Sequence, residues 1–135
     1  MEKHFLDDFV HEIEKDIQEG FQAEPWYNPY GDCITYQTVN EATVANRIDE
    51  ILTIYRSAVD DRPIGFQIKG VMALVKTFGW DGFLVSTEVS DEQVKRISLN
   101  ALLLAAYEKG PLTIGRRQAY ASVRPPLEND AVAVG

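Results

Sequence analysis

The chain has a single cysteine, Cys33, and only two histidines, His4 and His11. One cysteine cannot close an intramolecular disulfide, so the sequence makes no commitment to an oxidising compartment. No window approaches the roughly 18 continuous apolar residues of a membrane helix. The start, MEKHFLDDFVHEIEKD, also lacks the apolar run of a signal peptide. These absences predict a cytoplasmic protein with no membrane partner.

Basic residues are scarce as well. The 135 residues include 13 Lys and Arg against 21 Asp and Glu, which gives a formal net charge of -8 at pH 7. Such a surface repels phosphate backbones on average, so nucleic acid is not expected as a partner. The length suits one domain, predicted over residues 1–124, and the small, polar residues 125–135 are predicted to form a flexible tail.

The first segment places Phe5, Phe9, Ile13 and Ile17 at four-residue steps. This spacing predicts an amphipathic helix over residues 3–19, whose apolar face must pack against another element.

Between residues 26 and 69 the apolar period changes from helical to alternating. Ile34 and Tyr36 alternate with polar residues, residues 51–55 are apolar on both faces, and residues 64–68 alternate again. The last two runs are joined by a short polar loop, as in an antiparallel hairpin. The pattern predicts an antiparallel sheet of three to five strands.

Helical signals return after Gly70. Residues 71–78 form a short apolar run, and Ser90 with Gln93 matches a capping box, which predicts a long helix over residues 91–109. The fold class is therefore α+β: an N-terminal helix, the sheet, then a short and a long helix packed on it. Residues 112–124 remain unassigned.

The segment LNALLLAAY, residues 99–107, is apolar around most of the helix circumference. Either this helix is wedged between several elements, or a second subunit covers one side of it. The second reading predicts a homodimer.

The segment WYNPYGDCITYQ, residues 26–37, carries four aromatic rings. Asn28, Pro29, Tyr30 and Gly31 suit the four positions of a turn, with Gly31 in the left-handed conformation, so a hairpin is predicted here.

YNPYGDCITY, residues 27–36, resembles the opening of a small bacterial family of unknown function, which reads Tyr-Asp, three turn residues, Asp, any residue, Leu-Tyr-Ile. IGFQI, residues 64–68, is similar to that family's closing Val-Gly-Ile-Glu-Ile. Asn28 and Gln67 depart from the pattern. Over residues 26–70 the resemblance implies a small antiparallel sheet followed by a helix. It implies no catalytic residue, although such proteins often accompany bacterial toxins as neighbours or partners.

Asp32 and Cys33 are the candidate catalytic residues, provided that a base accepts the thiol proton. The only histidines lie on the predicted N-terminal helix, and Cys33 is equally explained as a small packing residue.

His4, Asp8 and His11 stand at i, i+4 and i+7 on that helix and are the candidate metal ligands. Solvated polar residues explain them equally well, so neither a metal nor another cofactor is expected.

GPLTIGRR, residues 110–117, has the glycine spacing of a phosphate loop, but arginines replace the required Lys and Ser or Thr. A nucleotide site is therefore rejected. Arg116 and Arg117 remain candidates for binding an anionic group or an acidic protein surface, and the alternative is that they lie in a solvated loop. Tyr30 is a candidate contact residue of the aromatic hairpin, whose rings are otherwise explained by packing in the core.

Two functions are consistent with these residues. The first is a non-enzymatic binding or regulatory protein that acts through protein–protein contacts, because no motif assembles a nucleophile, a base and an oxyanion donor. The alternative is a small enzyme or small-ligand-binding protein with a pocket between the sheet and the long helix.

Overall fold

The computed structural model describes residues 23–88, 94–126 and 130–134. The helix predicted over residues 3–19 and the Ser90–Gln93 capping box lie outside these ranges.

Five antiparallel strands form the main sheet, in the order β1-β2-β5-β4-β3. This confirms the α+β class, the predicted sheet and the predicted hairpin, which consists of β4 and the central strand β5. Their bounds are β1 Trp26–Asn28, β2 Cys33–Gln37, β3 Thr43–Arg47, β4 Leu52–Ser57 and β5 Pro63–Lys69.

The alternation read from the sequence assigns the two faces of this sheet. Ile34, Ile54 and Phe66 are almost fully buried and point to one side, which we call the inner face. The opposite side chains form the outer face, and none of them belongs to the hydrophobic core of the described residues. The outer face consists of Trp26, Asn28, Cys33, Thr35, Gln37, Thr43, Ala45, Arg47, Thr53, Tyr55, Pro63, Gly65, Gln67 and Lys69.

A second antiparallel sheet has the order β6-β7-β8 and consists of β6 Leu84–Glu88, β7 Val94–Ser98 and β8 Ala131–Ala133. Two predictions were wrong here. Residues 94–98 were expected to be helical, and residues 131–133 were expected to lie in a flexible tail. The reason is long-range pairing: Ile97 opposes Val132, and both side chains are buried. The core therefore extends past residue 124.

Among the described residues, three α-helices follow β5: α1 Val71–Phe78, α2 Leu99–Lys109 and α3 Ile114–Ser122. The first confirms the predicted short helix. The second is shorter than predicted, because Ser98 is its N-cap and accepts a hydrogen bond from the Ala101 N–H at 3.2 Å. The third lies in the stretch that the sequence left unassigned.

One hydrophobic core packs the inner face of the five-stranded sheet against the helices and the three-stranded sheet. Leu99, Leu102 and Ala106 of α2 are fully buried in it, whereas Leu104 is 60% exposed. Packing among several elements therefore explains most of the apolar circumference of α2. This was the first of the two explanations that the sequence left open.

Candidate functional site

The turn between β1 and β2 follows the prediction in its first half and departs from it in its second. The Asn28 side chain accepts a hydrogen bond from the Tyr30 N–H at 3.0 Å, as expected. Asp32, rather than Gly31, has the positive φ, at 50°. Aspartate tolerates this conformation because its short polar side chain bonds locally. The residue with the left-handed backbone conformation is therefore Asp32, and its side chain is a carboxylate.

The Asp32 carboxylate caps helix α1. It accepts hydrogen bonds from the Met72 N–H at 3.0 and 3.2 Å, while the Asp32 carbonyl accepts from Gly70 and Val71. The helix has no side-chain cap of its own, because Gly70 precedes it. A carboxylate at this end also suits the positive end of the helix dipole. The carboxylate and the carbonyl of Asp32 therefore connect the start of β2 to the start of α1.

The Tyr27 hydroxyl donates to the same carboxylate at 2.8 Å. Burial, together with this hydrogen bond and the negative charge, raises the pKa of Tyr27 to about 12. The phenol therefore stays protonated at neutral pH and fixes β1 to the turn.

Cys33 is 8% exposed and lies on the outer face. Its nearest polar partner is the Gln67 amide, whose nitrogen lies 3.7 Å from the sulfur and which is not a base. His4 and His11 lie outside the described residues. In the part of the chain that is described, no base lies at hydrogen-bond distance from Cys33, so the geometry does not assemble an activated thiol there.

Arg116 is buried at the start of α3 and forms an ion pair with Asp49, with 2.9 Å between Nε and the carboxylate. Tyr120 donates to the same carboxylate oxygen at 2.7 Å. Burial by itself would raise the pKa of Asp49, but hydrogen bonds from the Leu52 backbone, Tyr120 and Arg116 lower it. This cluster joins α3 to the loop before β4.

The remaining four N–H groups of Arg116 are also used inside the protein. The guanidinium spans the end of α2 and stacks near the rings of Tyr107 and Tyr120, at 5.1 and 4.8 Å from their centroids. No donor of Arg116 is left for an external anion. Its acceptors are the carbonyls of Ala106, Tyr107 and Pro111 and the hydroxyl of Tyr120.

Gly110 is required beside this guanidinium. A Cβ at position 110 would lie 2.6 Å from the Arg116 Cζ atom, which is closer than real Cβ contacts come. Arg117, the other predicted arginine, is exposed on α3 and does not share the cluster. The structure therefore separates the two arginines into a structural residue and a surface residue.

Sequence reasoning missed Asp49. Its carboxylate accepts from the Ile51 and Leu52 N–H groups at 2.8 and 2.7 Å, as in an Asx turn. The signal was an aspartate two residues before a run typical of a strand, which is where such a turn is expected.

The predicted aromatic group divides between core and surface. Tyr36 is buried against Phe66, with 5.8 Å between ring centroids, and Tyr27 packs against the core. Trp26 and Tyr30 are 61% and 99% exposed. The β1–β2 hairpin therefore presents two large aromatic side chains to solvent.

The predicted metal ligands His4, Asp8 and His11 lie outside the described residues. Within residues 23–88, 94–126 and 130–134, no group of three or more His, Cys, Asp or Glu side chains could hold a metal ion. No helix of this part of the chain has the length and apolarity that crossing a bilayer requires.

A cleft of about 410 Å³ lies between the loop before β4 and the end of α2. Asp49, Glu50, Lys109 and Arg116 contribute to its lining. Asp32 and Cys33 do not line it. The candidate nucleophile is thus not brought to the candidate pocket.

Comparison of the chain with protein-family models, curated proteins and solved structures gives no match.

Proposed function

We propose that the protein is a non-enzymatic binding protein that recognises another protein through its β1–β2 hairpin. The observation that carries the proposal is the exposure of Trp26 and Tyr30 on a hairpin whose conformation Asp32 fixes. Exposed tryptophan and tyrosine are the side chains most enriched among binding hot spots. A support held by hydrogen bonds reduces the entropy lost on binding.

The chemistry beside the aromatic residues defines the partner. Lys69 opposes Cys33 on the neighbouring strand and lies on the outer face with Trp26. We call Trp26, Tyr30 and Lys69 the hairpin surface. It fits a protein that offers an apolar pocket with a carboxylate at its rim.

The structural roles of Asp32 and Arg116 support a non-enzymatic protein, because both residues, which were candidates for catalysis or anion binding, have partners within the chain. Asp32 caps α1, and Arg116 donates its N–H groups within the chain. A cytoplasmic location is part of the proposal, and a single cysteine, which cannot close an intramolecular disulfide, fits it. If residues 26–70 belong to the family they resemble, proteins of neighbouring toxin genes are the first partners to test.

The test uses the full chain with a photo-cross-linking amino acid at position 30, expressed in its native host. The cross-linked protein is then purified, and its affinity is measured by calorimetry for wild type and Trp26→Ala. We expect Trp26→Ala to weaken binding about 30-fold, the effect of losing a hot spot of about 2 kcal/mol.

The matched control is Phe78→Ala, which removes another exposed aromatic ring, at the end of α1. Its affinity should equal that of wild type. Equal affinities for Trp26→Ala, Phe78→Ala and wild type would overturn the proposal, as would a cross-linker at position 78 that captures the partner better than one at position 30.

A small-ligand function is the second candidate, because a cleft lies beside Arg116. Its enzymatic form depends on an activated Cys33. Labelling of Cys33 by a thiol reagent no faster than in a denatured control contradicts that form.

A further inference from the structure

Among the described strands, β3 is the last one of the five-stranded sheet, and all five of its residues are exposed. Two hydrogen bonds flank its pairing with β4: the Ala58 N–H donates to the Ala42 carbonyl at 2.8 Å, and the Ile48 N–H donates to the Leu52 carbonyl at 2.9 Å. Because bonding direction alternates along a strand, Thr43, Ala45 and Arg47 direct their N–H and C=O groups away from β4.

This edge lacks the features that usually protect one. It has no proline, no glycine and no bulge against β4, and its only charge is Arg47 at one end. Val44, on the inner-face side, is 58% exposed. The opposite edge differs, because β1 has only three residues and lies beside β8.

We propose that β3 pairs with β3 of a second copy of the chain, so that the two five-stranded sheets join into one. Antiparallel pairing of identical edges is two-fold symmetric, which is the commonest arrangement of homodimers. Main-chain hydrogen bonds of Thr43, Ala45 and Arg47 supply the contact, as in other strand additions.

The side chains select the register. With Val44 opposite the partner's Val44, Glu41 faces the partner's Arg47 and Arg47 faces the partner's Glu41. Within the chain the Glu41 carboxylate pairs with Arg62, and in this register the partner's Arg47 joins that ion pair at both ends of the contact. The register also covers both exposed valines. Centring the pair on Ala45 would instead place Glu41 opposite the partner's Asp49, and like charges opposed across strands are destabilising.

Charge complementarity between two copies of the β3 edge therefore favours a second copy of the chain as the partner of this strand. This dimer differs from the one predicted through α2, where Leu99, Leu102, Ala105 and Ala106 are buried within the chain. It goes beyond the proposed function and does not use the hairpin surface.

The first measurement is the mass of the full chain in solution, by sedimentation equilibrium over a wide concentration range. We expect a concentration-dependent rise from the 15.2 kDa of one chain towards twice that mass. Ala45→Pro should remain at the mass of one chain, because it removes an outward N–H and leaves the bonds to β4 intact. Circular dichroism checks that this variant is folded.

A pair of cysteine variants tests the register without perturbing the fold. Val44→Cys places two thiols opposite each other, at a Cα separation of about 4.5 Å that suits a disulfide. Asn46→Cys is the matched control on the same strand, because its thiols would lie roughly 13 Å apart along the strand. Under mild oxidation, Val44→Cys should form covalent dimers, whereas Asn46→Cys and wild type should not.

Charge exchange provides the last arm. Arg47→Glu should dissociate the dimer, and Glu41→Arg combined with Arg47→Glu should restore it in a background of Arg62→Ala, which removes the ion pair of Glu41 within the chain. A wild-type mass of one chain at all concentrations would overturn the proposal, and so would equal cross-linking of Val44→Cys and Asn46→Cys. Trp26→Ala should dimerise as wild type does, so this proposal and the proposed function can fail separately.

Discussion

Asp32 and Asp49 both lie in the turn that follows a strand, and both carboxylates accept backbone N–H groups, yet only Asp49 meets a cation. Asp32 accepts from the start of α1 and from a tyrosine hydroxyl. Asp49 accepts from its own turn, from Tyr120 and from the buried Arg116. The Asp32 site is thus a helix cap, while the Asp49 site neutralises a charge that the fold has removed from water.

The two sites differ in what the loss of the carboxylate would leave without a partner. Removing a cap leaves N–H groups that water can reach at a helix end. Removing the partner of a buried arginine leaves an uncompensated charge. The two sites should therefore respond differently to the same substitution.

The largest effect is expected for Asp49→Ala. It leaves the Arg116 guanidinium buried without its anion and should lower the free energy of unfolding by about 3 to 5 kcal/mol. Urea denaturation at pH 7 measures the change. Glu50→Ala removes the adjacent exposed acid and should stay within about 0.5 kcal/mol of wild type. Similar losses in the two variants would contradict the assigned role of Asp49.

Asp32→Ala should cost less, about 1 to 2 kcal/mol, from the lost cap and from alanine in a left-handed conformation. Asp61→Ala is the matched control, because Asp61 also has a positive φ, at 64°, in the turn between β4 and β5. It isolates the backbone contribution. Denaturation curves should place Asp61→Ala between wild type and Asp32→Ala, and a larger loss in Asp61→Ala would refute the cap.

The smallest effect is expected from acid. The folded state lowers the pKa of Asp49, so its contribution is complete above the unfolded carboxyl value of about 4 and is lost as the pH falls through the folded value. Wild type should lose stability across this window more steeply than Asp49→Asn. Urea midpoints at pH 7, 5, 4 and 3 measure both slopes, and parallel slopes would show that Asp49 does not titrate as proposed.

The sequence patterns predicted the elements that local physics determines. Alternating apolar residues predicted the strands around Ile34 and Phe66, and the short apolar run predicted α1. These elements bury one side regardless of what pairs with them, so their pattern is visible in a single stretch of chain.

The errors share a cause, which is that distant partners decide the outcome. Residues 94–98 were predicted to be helical, because their sequence does not reveal that Ile97 pairs with Val132, more than 30 residues away. Arg116 read as part of a solvated loop, because its anion, Asp49, lies 67 residues earlier. One local signal was overlooked: Thr113 caps α3 by accepting from the Arg116 N–H at 3.3 Å.

Remote capping also recurs at α2. The Asp130 carboxylate accepts from the Ser98 hydroxyl at 2.7 Å and from the Asn100 N–H at 3.2 Å. Burial would raise the pKa of Asp130, and these bonds lower it. Two helices thus begin at carboxylates that come from other parts of the chain.

The order of folding events follows from these remote caps. Helix α1 needs a residue 40 positions earlier in the chain, and α2 needs one 30 positions later. Helix α1 lacks its capping carboxylate until β2 packs against it, and α2 lacks that of Asp130 until residue 130 has left the ribosome and β8 pairs with β7. Contacts of such long range slow the search for the native state. We therefore expect α1 and α2 to be completed only once the sheets form, and an isolated α1 peptide should be largely unfolded in water.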